Sequence, residues 1–208
     1  MIIKKYREMD YNKALKLMDK IISNKINNTD NNDYLLLVEH FPVYTIGRDG
    51  DKSDILIPEK KLNELNIKYY NVDRGGKITF HGPGQLIGYP ILDLNNHGRD
   101  LLLYLNTLEN SLLELLNLYN IKAERIKSDP GIWLGKNKIA AIGIGAQRWI
   151  TKHGFALNIN TDLDYFSYIN PCGFTDRGVT SIFKETGKEF TFEKVANDYI
   201  EIFEIFFN

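Results

Sequence analysis

One run of twelve residues concentrates groups that could bind and react: Arg74-Gly75-Gly76-Lys77-Ile78-Thr79-Phe80-His81-Gly82-Pro83-Gly84-Gln85. Four glycines and a proline impose an irregular backbone, and glycine lets a ligand approach the main chain closely. Arg74, Thr79, His81 and Gln85 set polar groups beside it. The same run also reads as two ordinary turns around a short strand. It is not a phosphate-cradling P-loop, because no Gly-Lys-Ser/Thr ends it. A second candidate is Cys172, on a turn between Pro171 and Gly173. A thiol attacks as the thiolate and needs a basic or cationic neighbour. His81, His153 and the lysines at 136 and 138 qualify.

Lys138 opens the run Ile139-Ala140-Ala141-Ile142-Gly143. Two readings stand side by side: a solvated strand end, or an amine turned into a pocket floored by small residues. His153 precedes Gly154-Phe155-Ala156, where glycine again permits close approach. His40 and His97 stand at no metal-ligand spacing to another histidine, so no metal site is expected.

These groups need elements to position them. An amphipathic helix is predicted over 10–22, capped by Asp10, with Ala14, Leu15, Met18, Ile21 and Ile22 on one face. The Asn/Asp-rich stretch 24–33 reads as a loop. Strands are expected at 34–38, 43–46, 68–72, 78–80 and 85–94, with a short helix from Pro58 to Leu65. A leucine-faced helix opens at Asp100 and ends near Asn120. Strands follow at 123–126, 131–134, 138–144 and 154–159, with a tight hairpin at 135–137. A short helix at 162–168 and a terminal helix at 191–206 complete the pattern. Grouped strands, hairpins and scattered helices predict a mixed-sheet α/β, α+β-like, single domain over 1–208. The lack of regular βαβ alternation argues against a doubly wound sheet.

The chain has 208 residues, 43% of them hydrophobic, enough to bury a sizeable core without a disulfide or metal staple. Twenty-six basic residues against 27 acidic give a formal net charge of −1, which argues against a dedicated nucleic-acid binder. The single cysteine cannot form an internal disulfide and suits a reducing compartment. No apolar run reaches the ~18 residues of a membrane span, and the N-terminus resembles neither a secretory nor a transit peptide. A cytoplasmic protein, or a mature form already processed, with no nucleic-acid or membrane partner is expected.

Taken in order, the motifs resemble the lipoyl(octanoyl) transferase family, octanoyl-carrier-protein:protein octanoyltransferases. The likeness runs from about Leu37 to Phe183. It rests on Glu39-His40 with Pro42-Val43-Tyr44-Thr45 and Gly47-Arg48, on Arg74-Gly75-Gly76 with Thr79 to Gln85, on Lys138 to Gly143, on His153 to Asn158, on Pro171-Cys172-Gly173, and on Val179-Thr180-Ser181. The resemblance implies the fold of biotin and lipoate protein ligase catalytic domains. It implies transfer of an octanoyl group from octanoyl-acyl carrier protein to a lysine of lipoyl domains, in 2-oxoacid dehydrogenase complexes or the glycine cleavage H protein, with no cofactor. It assigns Cys172 as the acyl-accepting thiol and Lys138 as its basic partner. By the same carry-over Arg74 to His81, Ala141-Ile142-Gly143 and His153-Gly154-Phe155-Ala156 bind substrate. The competing readings are an ATP-dependent lipoate–protein ligase of the same fold and a non-catalytic module that binds carrier protein.

Overall fold

Within Tyr34–His40 every residue is buried, and the apolar ones divide by the period of two that a strand imposes. Leu35 and Leu37 face one core cluster, Tyr34, Leu36 and Val38 another. This strand therefore lies inside a sheet covered on both faces. The computed structural model describes residues 1–127, 129–170 and 177–207. In chain order the elements are β1 (Ile2–Met9), α1 (Tyr11–Ile26), β2 (Tyr34–His40), β3 (Val43–Ile46), α2 (Glu59–Glu64), β4 (Lys68–Asn71), β5 (Ile78–His81), β6 (Gln85–Ile91) and α3 (Leu101–Leu118). Then come β7 (Glu124–Ile126), β8 (Asp129–Leu134), β9 (Asn137–Gln147), β10 (Ile150–Asn158), β11 (Gly178–Val179), α4 (Ile182–Thr186) and α5 (Phe192–Phe207).

The large sheet runs β1-β2-β6-β10-β9-β8-β7, with β11 beside β9, and a small sheet runs β4-β3-β5. The mixed α/β architecture read from the sequence is the one observed. Helices α3 and α5 cover one face of the large sheet, where Leu108, Leu112, Leu115, Val195 and Phe203 are fully buried. Each such leucine contributes roughly 1.5–3 kcal/mol relative to exposure. Helix α1 covers the other face through Ala14, Met18, Ile21 and Ile22. The small sheet has its own core, Tyr44, Ile46, Ile78 and Phe80, closed by α2 and a 3₁₀ turn over Leu163–Tyr168. Among the described residues no helix is long and apolar enough to cross a membrane.

Several elements differ from the sequence reading. Residues 2–9 form a strand parallel to β2, where no element was expected. Helix α1 continues four residues past 22, into the stretch read as a loop. The strands expected at 138–144 and 154–159 are the cores of a long hairpin, β9–β10. Its turn is Arg148-Trp149, with φ of 49° and 69° at the two residues. Two left-handed residues in a two-residue loop are the hairpin geometry that matches strand twist.

Candidate active site

Between the two sheets lies a cavity of about 1410 Å³. The run Arg74, Gly75, Gly76, Lys77, Ile78, Thr79 and His81 lines it. Phe80 turns the other way, into the small-sheet core, stacked on Tyr165 at 4.6 Å. Alternation along β5 sends Ile78 and Phe80 to the small-sheet core and Thr79 and His81 to the other face; Ile78, at the start of the strand, also reaches the cavity. Lys138, Ala141, Ile142, Gly143, His153, Gly154, Phe155 and Ala156 also line the cavity. The structure thus gathers all of these around one space except Phe80, and Lys136 does not line it either. Cys172 lies outside the described residues. The described residues on either side of its segment, Asn170 and Arg177, line the cavity as well.

Lys138 owes its place to an irregularity in β9. Ile132 of β8 pairs with Ala140, but the next residue, Trp133, pairs with Lys138, so β9 carries one extra residue. Without it Lys138 would share the face of Ala140, inside the core. The bulge turns it to the face of Trp133 instead. There its Nζ donates to Asp129 Oδ1 at 3.0 Å and to Pro130 O at 3.3 Å, and lies 4.5 Å from the centre of the Trp133 ring. Arg177 approaches the same carboxylate, Nη1 to Oδ2 at 2.5 Å, and the same ring. The lysine is 16% exposed and paired, so the solvated strand-end reading does not describe it.

The Arg74–Gly76 loop is held against β9 and β10. Gly75 N–H donates to Ile144 O at 3.2 Å, and His153 Nε2 donates to Asp73 Oδ1 at 2.7 Å. Lys152 bridges Asp73 and Asp19 of α1, at 3.3 and 2.9 Å. Close contact is possible because Gly143 has no side chain: a Cβ there would stand 2.8 Å from Arg74 Cδ and 3.0 Å from Gly75 O. His153 adopts φ of 62°, in the interior of a strand. A left-handed histidine persists only where its surroundings over-determine it. Here the bond to Asp73 supplies that constraint. Burial holds His153 below the usual histidine range despite the carboxylate.

A directional chain of buried hydrogen bonds links this loop to the far end of the cavity. Asn158 Nδ2 donates to Thr180 O at 2.9 Å, so its Oδ1 accepts from Gln85 Nε2 at 2.8 Å. Gln85 Oε1 is then the acceptor for His81 Nδ1–H at 3.0 Å. His81 Nε2 must accept, and takes the Thr45 hydroxyl at 3.3 Å. Thr45 Oγ1 accepts in turn from Arg74 Nε and Nη2, at 3.3 and 2.9 Å. Burial pushes His81 well below the usual range, in keeping with a neutral ring that both donates and accepts. Arg74 itself is buried and has no carboxylate at ion-pair distance among the described residues. Desolvation lowers its pKa accordingly. A parallel pair lies beside it: His40 Nδ1–H donates to Met9 O, and Tyr89 Oη–H to His40 Nε2.

Sequence reasoning missed Asp129, Trp133, Asp73, Tyr89 and Tyr11, all of which line or brace the site. Asp73 stands next to Arg74 in sequence, and its acidity there was the available signal; Asp129, nine residues before Lys138, meets it only through the pairing of β8 with β9. Tyr11 carried none, being one more position at the start of an amphipathic helix.

The arrangement of two sheets with a cavity between them matches the fold of solved lipoate and biotin protein ligases. A lipoate-protein ligase A solved with bound ATP matches with a TM-score of 0.75 at 16% identity, over 99% of this chain and 85% of that one. The biotin protein ligase of Aquifex aeolicus, solved with biotin and ATP, gives 0.57 at 15% identity, over 99% and 68%. Likeness at that identity concerns the fold. The sequence narrows it: the model of the lipoyl protein ligase A/B catalytic domain matches residues 10–204, and the chain belongs to that family. A relative from Parabacteroides distasonis, named Octanoyltransferase, is 49% identical over 179 residues, 83% of this chain and 81% of its own.

Proposed function

We propose that the chain is an acyltransferase of protein lipoylation, moving an octanoyl group onto a lysine of lipoyl domains. Its donor is octanoyl-acyl carrier protein, and its acceptors are the lipoyl domains of 2-oxoacid dehydrogenase complexes and the glycine cleavage H protein. The observation that carries the reading is the Lys138 ammonium. A bulge aims it into a large cavity whose wall also includes the residues on either side of the Cys172 segment. An enzyme of this kind needs such a cation beside a thiol.

In the first step the Cys172 thiolate attacks the donor carbonyl. The bond from that carbon to the carrier sulfur breaks, and the carrier leaves as a thiolate that takes up a proton. The acyl group rests on Cys172 as a thioester of similar energy, so no nucleotide is consumed. The acceptor amine then attacks, expels the Cys172 thiolate and loses a proton, and the amide product makes the step downhill. Lys138 has three N–H donors. Among the described residues Asp129 and Pro130 take two of them, leaving one for a reacting sulfur. That last donor stabilises a thiolate, which at the ordinary thiol pKa of ~8.5 is a minor species at neutral pH.

Intact-protein mass spectrometry after incubation with octanoyl-carrier protein, acceptor omitted, tests the reading. One octanoyl adduct is expected, absent in Cys172→Ser, with transfer continuing when ATP is left out and chelator added. Wild-type transfer by the serine variant would refute the covalent step. Strict dependence on ATP with free octanoate would move the protein to the ligase reading, and binding without turnover to the carrier-binding one.

A further inference from the structure

Tyr11 is the first residue of α1 and is 3% exposed. Its ring is fixed on three sides, by His40 at 5.2 Å, Tyr70 at 5.5 Å and His81 at 6.0 Å. Its hydroxyl makes no hydrogen bond to any described residue. Yet it is not a sealed group like the Tyr104 hydroxyl: Tyr11 lines the cavity, and the hydroxyl opens on it. Burial and the nearby Asp73 carboxylate raise the phenol's pKa, so it remains a neutral donor.

The cavity floor includes an apolar row that starts on the strand of Lys138. Ala141 on β9, Ala156 on β10 and Ile87 on β6 stand in one row across the strands, as their pairing shows. They form an apolar track, low at the two alanines. From β9 to β6 is two strand spacings, about 10 Å. An extended eight-carbon chain measures roughly 9 Å, seven bonds of about 1.5 Å shortened by their zigzag. Beyond Ile87 the row continues to Val38 of β2, two residues before His40, and Tyr11 packs on the His40 ring and lines the cavity.

We propose that Tyr11 is the end wall of the acyl track, setting its length, and that its free hydroxyl admits acyl chains bearing a terminal hydroxyl. This inference rests on the acyl-transfer reading. It adds a substrate class, ω-hydroxy medium-chain acyl thioesters, and names a specificity-determining residue. A methyl end meets the wall and leaves the Tyr11 hydroxyl unpaired. A hydroxyl end pairs with it.

The test compares octanoyl, 8-hydroxyoctanoyl and decanoyl carrier thioesters with wild type, Tyr11→Phe and Tyr11→Leu. In Tyr11→Phe, which keeps the packed ring, the ratio of kcat/KM for 8-hydroxyoctanoyl over octanoyl falls about five- to tenfold, one neutral hydrogen bond. In Tyr11→Leu the ratio for decanoyl over octanoyl rises at least tenfold, as an opened end wall requires. Calorimetric binding of free octanoate and 8-hydroxyoctanoate to wild type and Tyr11→Phe gives a readout independent of turnover, with the same shift in ratio expected. Failure of the wild type to transfer octanoyl would refute the transfer reading alone. Unmoved ratios in binding and, where there is turnover, in kinetics would overturn the role of Tyr11.

Discussion

Replacing Thr45 with valine should destabilise the protein more than replacing it with serine, the reverse of what apolar burial alone would give. Thr45 is completely buried in β3. Its hydroxyl accepts two N–H groups of Arg74 and donates to His81 Nε2. Valine has nearly the same shape and a higher strand preference, so it opens no cavity and does not strain β3. It leaves Arg74 Nε–H, one Nη2–H and His81 Nε2 buried without partners, at about 1–3 kcal/mol each and more for the charged guanidinium. Arg74 Nη2 keeps its second bond, to Thr45 O at 2.6 Å, and two of the lost contacts are long, at 3.3 Å. The expected loss is therefore about 2–4 kcal/mol, toward the lower end of that sum. Serine keeps the hydroxyl and removes one methyl, about 1 kcal/mol. Urea unfolding of the three proteins, with the slope held common, measures both differences. A valine variant as stable as the serine one would refute the directional hydrogen-bond chain, and with it the neutral, Nδ1-protonated state of His81.

Three further outcomes follow from the same contacts. Lys138→Ala should lower octanoyl transfer by ~10²–10⁴-fold and shift the pH profile of Cys172 alkylation, and Lys138→Arg should rescue poorly; unchanged turnover and profile would remove Lys138 from the mechanism. Gly143→Ala should displace the Arg74–Gly75 segment and reduce transfer by about 10²-fold at a stability cost of about 1–3 kcal/mol, so normal kinetics would contradict the contact at 2.8 Å. Burial lowers His40 to about 4 and lowers His81 and His153 as well, so the unfolded chain binds protons first as pH falls below about 6.5. Stability should hold above that pH and drop below it, by about 3 kcal/mol at pH 4 through His40 alone; a flat unfolding free energy from pH 7 to 4.5 would refute their neutral burial.

Much of the site was legible because glycine and charge mark it locally. The Arg74-Gly75-Gly76 loop, the Lys138 run and His153-Gly154 announce close backbone approach, and all three meet at the cavity. What was hidden is what depends on register. The extra residue in β9 that turns Lys138 to the cavity appears only when Ile132 and Trp133 find their partners. The Arg148-Trp149 turn carries neither Asn nor Gly, so the β9–β10 hairpin read as two separate strands. Strand β1, partly exposed and with charged Lys4, Lys5, Arg7 and Glu8, has too few apolar positions to declare itself and forms by pairing along β2. Phe80 was grouped with its neighbours, but strand alternation sends it to the other side. Cys172 lies outside the described residues, and its assignment rests on sequence.

The hydrogen-bond chain explains how groups on two sheets can act as one site. Arg74 precedes β5 in the small sheet's connection, while Lys138 lies on the large sheet, and no strand joins them. The chain from Arg74 through Thr45, His81, Gln85 and Asn158 ends on Thr180 O, and Thr180 N–H donates to Lys138 O at 3.0 Å. Every side-chain member is buried, so each bond stands in a low-dielectric interior where breaking it leaves an unsolvated group. The arrangement therefore resists sliding of one sheet against the other, and it does so without an ion pair that would need its own desolvation. Reaction geometry tolerates about an ångström of error before rate falls by orders of magnitude. A site divided between two sheets meets that tolerance here because its substrate loop and its lysine strand are tied through backbone carbonyls and buried amides, not through flexible side chains in solvent.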